Sequence, residues 1–232
     1  MLAWRAAVAF GALAVSSTGF TATIHTTQVP LGGSGPSGTN ACDGGGSGPG
    51  GCTPYELGMQ FQSAVDGYIT AIRFWRADSE PFADNQHVGR IWAADGTLLD
   101  SVSFTGETAG AGWQEQALAT PLSILASTTY TVSVNSLGYY VYSSQGLRNG
   151  INNGFLTALA GLSLGQCSGS GNANGVYASA GTFPTSSYNC NDYFRDVQFS
   201  IAEWVVPVPA AFWLLSSAFG ALGWLRRKPA TI

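Results

Sequence analysis

The chain reads as all-β: an antiparallel β-sandwich of jelly-roll-like form, preceded by an N-terminal signal helix and followed by a short C-terminal transmembrane helix. Three observations predict this. Only 9% of residues are charged, while 31 are glycine and 12% aromatic, a balance that favours short strands and many turns over long surface helices. Strand-length runs recur with turn residues between them. Both ends of the chain are apolar. At 232 residues there is room for one ordinary domain once leader and tail are set aside, and such a domain buries a real core.

Residues 1–22 carry one cation, Arg5, then the apolar run AAVAFGALAV and the small, polar SSTGFTA. That is the layout of a secretory signal, too short to span a bilayer comfortably, and cleavage anywhere between Gly19 and Thr23 fits it. Residues 23–54 follow as a linker or a stapled loop, because GGSGPSGTNACDGGGSGPGGC is low-complexity. No strand precedes these glycines and no helix or lysine accompanies them, so they are not a phosphate-binding loop.

Residues 55–202 form the predicted sandwich. Its strands are YELGMQFQS, YITAIRFWRA, HVGRIWAA, TLLDSVSFT, WQEQALA, LSILA, TTYTVSVNS and, after a long gap, DYFRDVQFSI. Separators such as VDG, ADG, TAGAG and SLG supply the turns. Ile69, Ala71, Phe74, Ile91, Val102, Phe104, Tyr130, Val132, Val197 and Phe199 are the candidate core. Between Gln145 and Asn191 the chain is rich in Gly, Asn and Ser, so an excursion over one end of the sandwich is expected there.

Four cysteines behind an export leader predict disulfides. Three pairings are possible. Cys42 with Cys52 and Cys167 with Cys190 is favoured, since each pair closes a Gly-rich loop whose entropy a bridge would reduce. A zinc site is disfavoured, with no CxxC and only His25 and His87 as histidines.

Residues 203–232 hold VPVPAAFWLLSSAFGALGWLRRK. Ala210 to Leu225 is a marginal apolar span, and Arg226, Arg227 and Lys228 hold its far end in the cytoplasm. Pro207 and Pro209 keep the adjoining backbone extended and accessible to a processing enzyme. The tail resembles the PEP-CTERM sorting tags of Gram-negative bacteria, in the VPxPA-type variant, with Val208 where a glutamate is usual. That resemblance implies a sorting transpeptidase of exosortase type as partner. The chain would pass transiently through the inner membrane and end at the cell surface or in the extracellular matrix; a permanent anchor is the alternative.

Between leader and tail, thirteen acids face five arginines, so the exported part carries a net charge of about minus eight. Nucleic-acid binding is excluded on that ground. Asp78, Glu80 and Asp84 in ADSEPFADNQ are weak calcium candidates without EF-hand spacing. Glu107 and Glu115 could be imagined as a glycosidase pair, yet both sit near a Gly-rich turn where exposed acids are usual. No G-x-S-x-G is present. Neither a cofactor nor catalysis is expected.

Aromatic side chains are the better lead. Sugar rings stack apolar C–H faces on tyrosine or tryptophan while their hydroxyls bond polar neighbours. The candidates are Tyr139, Tyr140, Tyr142, Tyr177 and Tyr188 in Gly-rich contexts, with His87, Arg90 and Asp196 as polar partners. Loop tyrosines also serve simply to cover a sandwich end, and Trp75, Trp92 and Trp113 lie within strands as packing residues.

The order of YELGMQFQS, DGYITAIRFWR, HVGRIWAADGTLLDSVSFT, GWQEQALATPLSILASTTYTVSV and NGVYASAGTFPTSSYNCNDYFRDVQF is similar to the domain-of-unknown-function family 4082 over about residues 55–200. The resemblance implies an extracellular β-sandwich with a carbohydrate-binding-like role; Arg195 stands where the family has an apolar residue. The expected function is a non-enzymatic surface or matrix protein that binds exopolysaccharide. The alternative is a structural or adhesive matrix protein with no discrete ligand, and more distantly a carbohydrate-active hydrolase.

Overall fold

The computed structural model describes residues 20–30, 37–80 and 86–201. The leader to residue 19, the whole sorting tail with Pro207, Pro209, Arg226, Arg227 and Lys228, and the calcium candidate Asp84 lie outside them. Among the described residues no helix is long and apolar enough to cross a membrane.

Almost everything described is antiparallel sheet. One sheet orders as β1 (Thr21–Ala22), β14 (Arg195–Ser200), β4 (Gly67–Arg76) and β7 (Gly112–Ile124). The second runs β10 (Ile151–Asn153), β11 (Leu156–Ala158), β3 (Tyr55–Ser63), β8 (Tyr130–Asn135), β5 (Val88–Ala93) and β6 (Leu98–Ser103). In it β12 (Ser170–Ser179) pairs with both β3 and β13 (Ser186–Tyr188). A separate pair joins β2 (Ser37–Cys42) to β9 (Tyr139–Ser143).

The two large sheets bury their facing side chains together. Met59, Phe61, Ile91, Val132 and Val134 come from one sheet, and Ile69, Ile72, Phe74, Val197 and Phe199 from the other. A register shift in β4 between Ile69 and Ala71 explains why Ile69 and Ile72 both reach the core although strict alternation would separate them. Every expected core residue is buried except Val102, which packs half-buried against the rim.

Four expectations need correction. The stretch read as a linker or a stapled loop has its staple, Cys42–Cys52, but begins inside the sandwich: β1 pairs with the last strand, and Ile24 and His25 are buried. A leader cut after Ala22 would therefore remove β1. The low-complexity segment supplies β2, since its backbone finds a partner in β9 despite poor strand propensity. The runs WQEQALA and LSILA form one strand, β7, whose Pro121 is tolerated because β7 is a sheet edge. The excursion after Gln145 contains β10 to β13, because β3 offers it an edge: β12 takes residues 55–58 and β11 takes residues 61–63. Asn174 stitches the gap, its amide bonding both backbone groups of Gln60 and the carbonyl of Leu159.

Both favoured disulfides are present, Cys42–Cys52 with Cα atoms 5.2 Å apart and Cys167–Cys190 at 4.9 Å. They fit a domain that matures in an oxidising compartment outside the cytoplasm.

Candidate functional site

The period-2 alternation of YYVYS decides which tyrosines share a face. Tyr140 and Tyr142 point one way from β9, whereas Val141 is buried on the other side with Tyr139 packed beside it. Tyr55 opens β3 and Tyr177 lies on β12, which is paired to it across Leu57. Tyr188 ends β13, and Tyr193 follows on the connection into β14.

These six tyrosines line one open cleft of about 720 Å3. Asp43 and Ala41 from the end of β2, Asn189 and Asn191 complete much of its wall. The rings meet mostly edge to face: Tyr55 to Tyr140 at 6.1 Å, Tyr55 to Tyr177 at 5.8 Å and Tyr140 to Tyr193 at 6.0 Å. Edge-to-face packing of this kind is a favoured arrangement of aromatic rings. Tyr188 is 47% exposed at the rim and Tyr193 is buried.

The Tyr140 hydroxyl donates to Asp43 Oδ2 at 3.1 Å. Burial, reinforced by the Asp43 charge, pushes the Tyr140 phenol well above its ordinary range; burial likewise raises Tyr193, and Tyr55 rises for the same two reasons as Tyr140. These phenols stay neutral at any physiological pH. Asn191 is 6% exposed, and its Oδ1 has no hydrogen-bond partner. No Lys, Arg or His lines the cleft among the described residues.

The wall from Tyr188 to Asp192 is rigidly held. Asn189 and Cys190 have φ of 52° and 51°, a left-handed conformation uncommon outside glycine. The Cys167 bridge anchors this turn, and Ser143 exchanges both backbone hydrogen bonds with Asp192. Gly175 passes so close beneath that a Cβ would strike the Asn191 carbonyl. From below, His25 Nε2 contacts Asp192 Oδ2 at 2.7 Å. Burial alone would depress the His25 pKa, but the charge and hydrogen bond of Asp192, aided by Asp196, lift it to about 10.

Of the residues singled out in the sequence, Tyr140, Tyr142, Tyr177 and Tyr188 come together, and four others do not. Tyr139 belongs to a small apolar cluster with Trp75 and Trp113. His87 is fully buried, with Nδ1 at 2.9 Å from Glu107 and Nε2 at 3.3 Å from Glu80. Arg90 is bound to Glu56 at 2.8 Å. Asp196 is buried, accepting from the amides of Ile24 and His25. A charge drawn wholly or largely out of water has to find a partner inside, and these three groups, His87 and Asp196 buried and Arg90 half-buried, have done so.

The same reasoning removes the acids. Glu107 is engaged by His87 while Glu115 is exposed, so they do not face one another across a cleft. Glu80 accepts from the Leu137 amide and Asp78 is exposed; among the described residues no group of three or more His, Cys, Asp or Glu could hold a metal. Arg195 points inward with the core face of β14, donating to the carbonyls of Tyr193 and Val134 and lying over the Phe74 ring. Burial pulls its guanidinium down to about 10, still charged at neutral pH.

Sequence reasoning missed Tyr55, Tyr193, Asp43 and Asn191. Tyr55 opens a clear strand with the inward-facing Leu57 two residues on, so alternation alone assigns it to packing; Asp43 lay in low-complexity sequence.

These features define a class: a disulfide-stapled antiparallel β-sandwich with one aromatic cleft walled by a strained turn. The chain belongs to the family described as a domain of unknown function (DUF4082), whose model matches residues 43–195. That span runs from the cleft's Asp43 to just past its Tyr193, while the folded unit extends beyond it to β1 and through β14. No curated protein matches the chain.

Proposed function

We propose that this is an exported, non-enzymatic glycan-binding protein whose tyrosine cleft is the sugar-contacting surface. The observation that carries the reading is the convergence of six tyrosines, from four separate stretches of chain, on one open cleft with amide and carboxylate groups at its wall. Interior packing does not call for Tyr188 at 47% exposure, and pyranose rings require what such a rim offers, flat apolar faces beside hydrogen-bonding groups. The resemblance of residues 203–232 to PEP-CTERM tags supports delivery to the surface or matrix through an exosortase-type transpeptidase, where exopolysaccharide is the abundant glycan.

The test is saturable binding of the full chain, in mild detergent, to a panel of soluble oligosaccharides. Tyr188→Ala lowers affinity about fivefold, the loss of one aromatic contact, without lowering the melting temperature. Absence of saturable binding to every glycan leaves a structural matrix role instead. Release of new reducing ends would replace the proposal with a hydrolase.

A further inference from the structure

The polar character of the cleft is one-sided. Asp43 is exposed at its wall, is the one ionised group among the lining residues, and enters none of the ion pairs among the described residues. The arginines are committed elsewhere. Arg73 lies 3.6 Å from Asp196 and over the Trp113 ring, Arg90 is bound to Glu56, Arg195 is buried on backbone carbonyls, Arg148 reaches Gln145, and Arg76 donates to the Glu80 carbonyl. Asn191 contributes an acceptor, its buried Oδ1, that no group of the protein satisfies.

The rings of Tyr55, Tyr140 and Tyr177 line the same cleft, packed edge to face, and the face of each carries the negative lobe of a ring quadrupole. An anionic ligand such as a uronate, sulfate or phosphate would meet repulsion from Asp43, from the rings and from a domain of net charge about minus eight, with no cation to offset it. A neutral sugar would stack but leave the Asp43 carboxylate, hydrogen-bonded to the Tyr140 hydroxyl, without a counter-charge. A protonated amine fits both features: it gives Asp43 a counter-charge and lies against the aromatic rings.

Resting on the reading of the cleft as a sugar site, we infer that its ligand is a glycan bearing free amines, a polymer of de-N-acetylated hexosamine. The pyranose C–H face packs on the tyrosines, and the ammonium takes the place of the cation that Asp43 lacks within the protein. Removing the acetyl group from such a polymer therefore raises its affinity for this protein, and restoring it lowers that affinity.

The experiment is calorimetric titration of the full chain with four oligosaccharides of equal length: β-1,4-linked glucosamine, its fully N-acetylated counterpart, a β-1,4-glucan and an oligouronate, all below the amine's pKa. The glucosamine oligomer is expected to bind about tenfold tighter than the acetylated one, the ratio set by an ammonium on an aromatic and carboxylate site. Asp43→Asn, at an exposed position that does not threaten the fold, brings the ratio of the two affinities to within about twofold, whatever it does to each affinity separately. Tyr140→Phe keeps the ring face and preserves the preference. Equal binding of the amino and acetylated oligomers, a preference for the uronate, or an unchanged ratio in Asp43→Asn overturns the inference and leaves the sugar site standing. Binding of none of the four overturns both.

Discussion

Two parts of this molecule hold carboxylates beside aromatic rings, and they treat them in opposite ways. Beneath the sheets, Glu80 and Glu107 bracket the imidazole of His87, which also rests 4.6 Å from the Phe74 ring, and all three polar groups are buried. In the cleft, Asp43 stands among tyrosines with no cation beside it and open to solvent. The first arrangement is closed: its opposite charges face one another away from solvent, where no ligand enters. The second is open. The difference teaches that a list of polar residues near aromatics does not identify a site; what identifies it is which charge the protein has left without a counter-charge at a surface where something can enter.

The comparison breaks most visibly on the closed side. His87→Ala removes the imidazolium between two buried carboxylates, leaving Glu107 with only the Arg76 cation, at 3.9 Å, among the described residues, and is expected to cost about 3–5 kcal/mol, read by denaturant unfolding, with glycan affinity of the remaining folded protein unchanged. If that substitution instead altered binding without lowering stability, the division between closed and open clusters would be wrong.

Next in size is the bridge behind the cleft wall. Replacing Cys167 and Cys190 together by serine frees a loop of sequence separation 23 and is expected to lower stability by about 3 kcal/mol. Because that bridge holds the left-handed turn carrying Asn189 and Asn191, affinity should fall as well. Loss of stability with unchanged affinity would show that the wall keeps its shape without the bridge.

At any single pH the change per unit is the smallest of the three, and it sharpens the comparison through pH. His25 has its pKa raised from 6.5 to about 10 in the folded chain, burial being outweighed by Asp192 and Asp196. Because the folded state holds this proton more tightly, the stabilisation is complete below 6.5 and is lost as pH climbs towards about 10. Stability should decline through that interval by up to about 1.4 kcal/mol per pH unit, and His25→Gln should flatten the slope. A slope that persists in the variant assigns the effect to another group.

Much of the architecture was legible locally. Strands Tyr55–Ser63, Gly67–Arg76 and Val88–Ala93 announce themselves by β-branched and aromatic residues between turn signals. The disulfide pairing followed from the glycine-rich segments each bridge closes. The split of Tyr139 from Tyr140 and Tyr142 was there to be read, since two residues per repeat put neighbours on opposite faces. The strands within 145–191 were not, because INN, LTA and SSY carry no pattern of their own and exist by pairing with edges built elsewhere.

What the sequence by itself determined was therefore whatever depends on neighbours along the chain: strand periodicity, turn positions, net charge and which cysteines close short loops. Only the tertiary structure decided which polar groups are spent and which are free. His25 and Asp192 are separated by 167 positions, and Tyr140 and Asp43 by 97. Contacts across such distances are set by sheet register and by the packing of whole layers. A buried charge is compensated by whatever the register brings beside it, so its partner, and thus its availability to a ligand, is a property of the assembled fold.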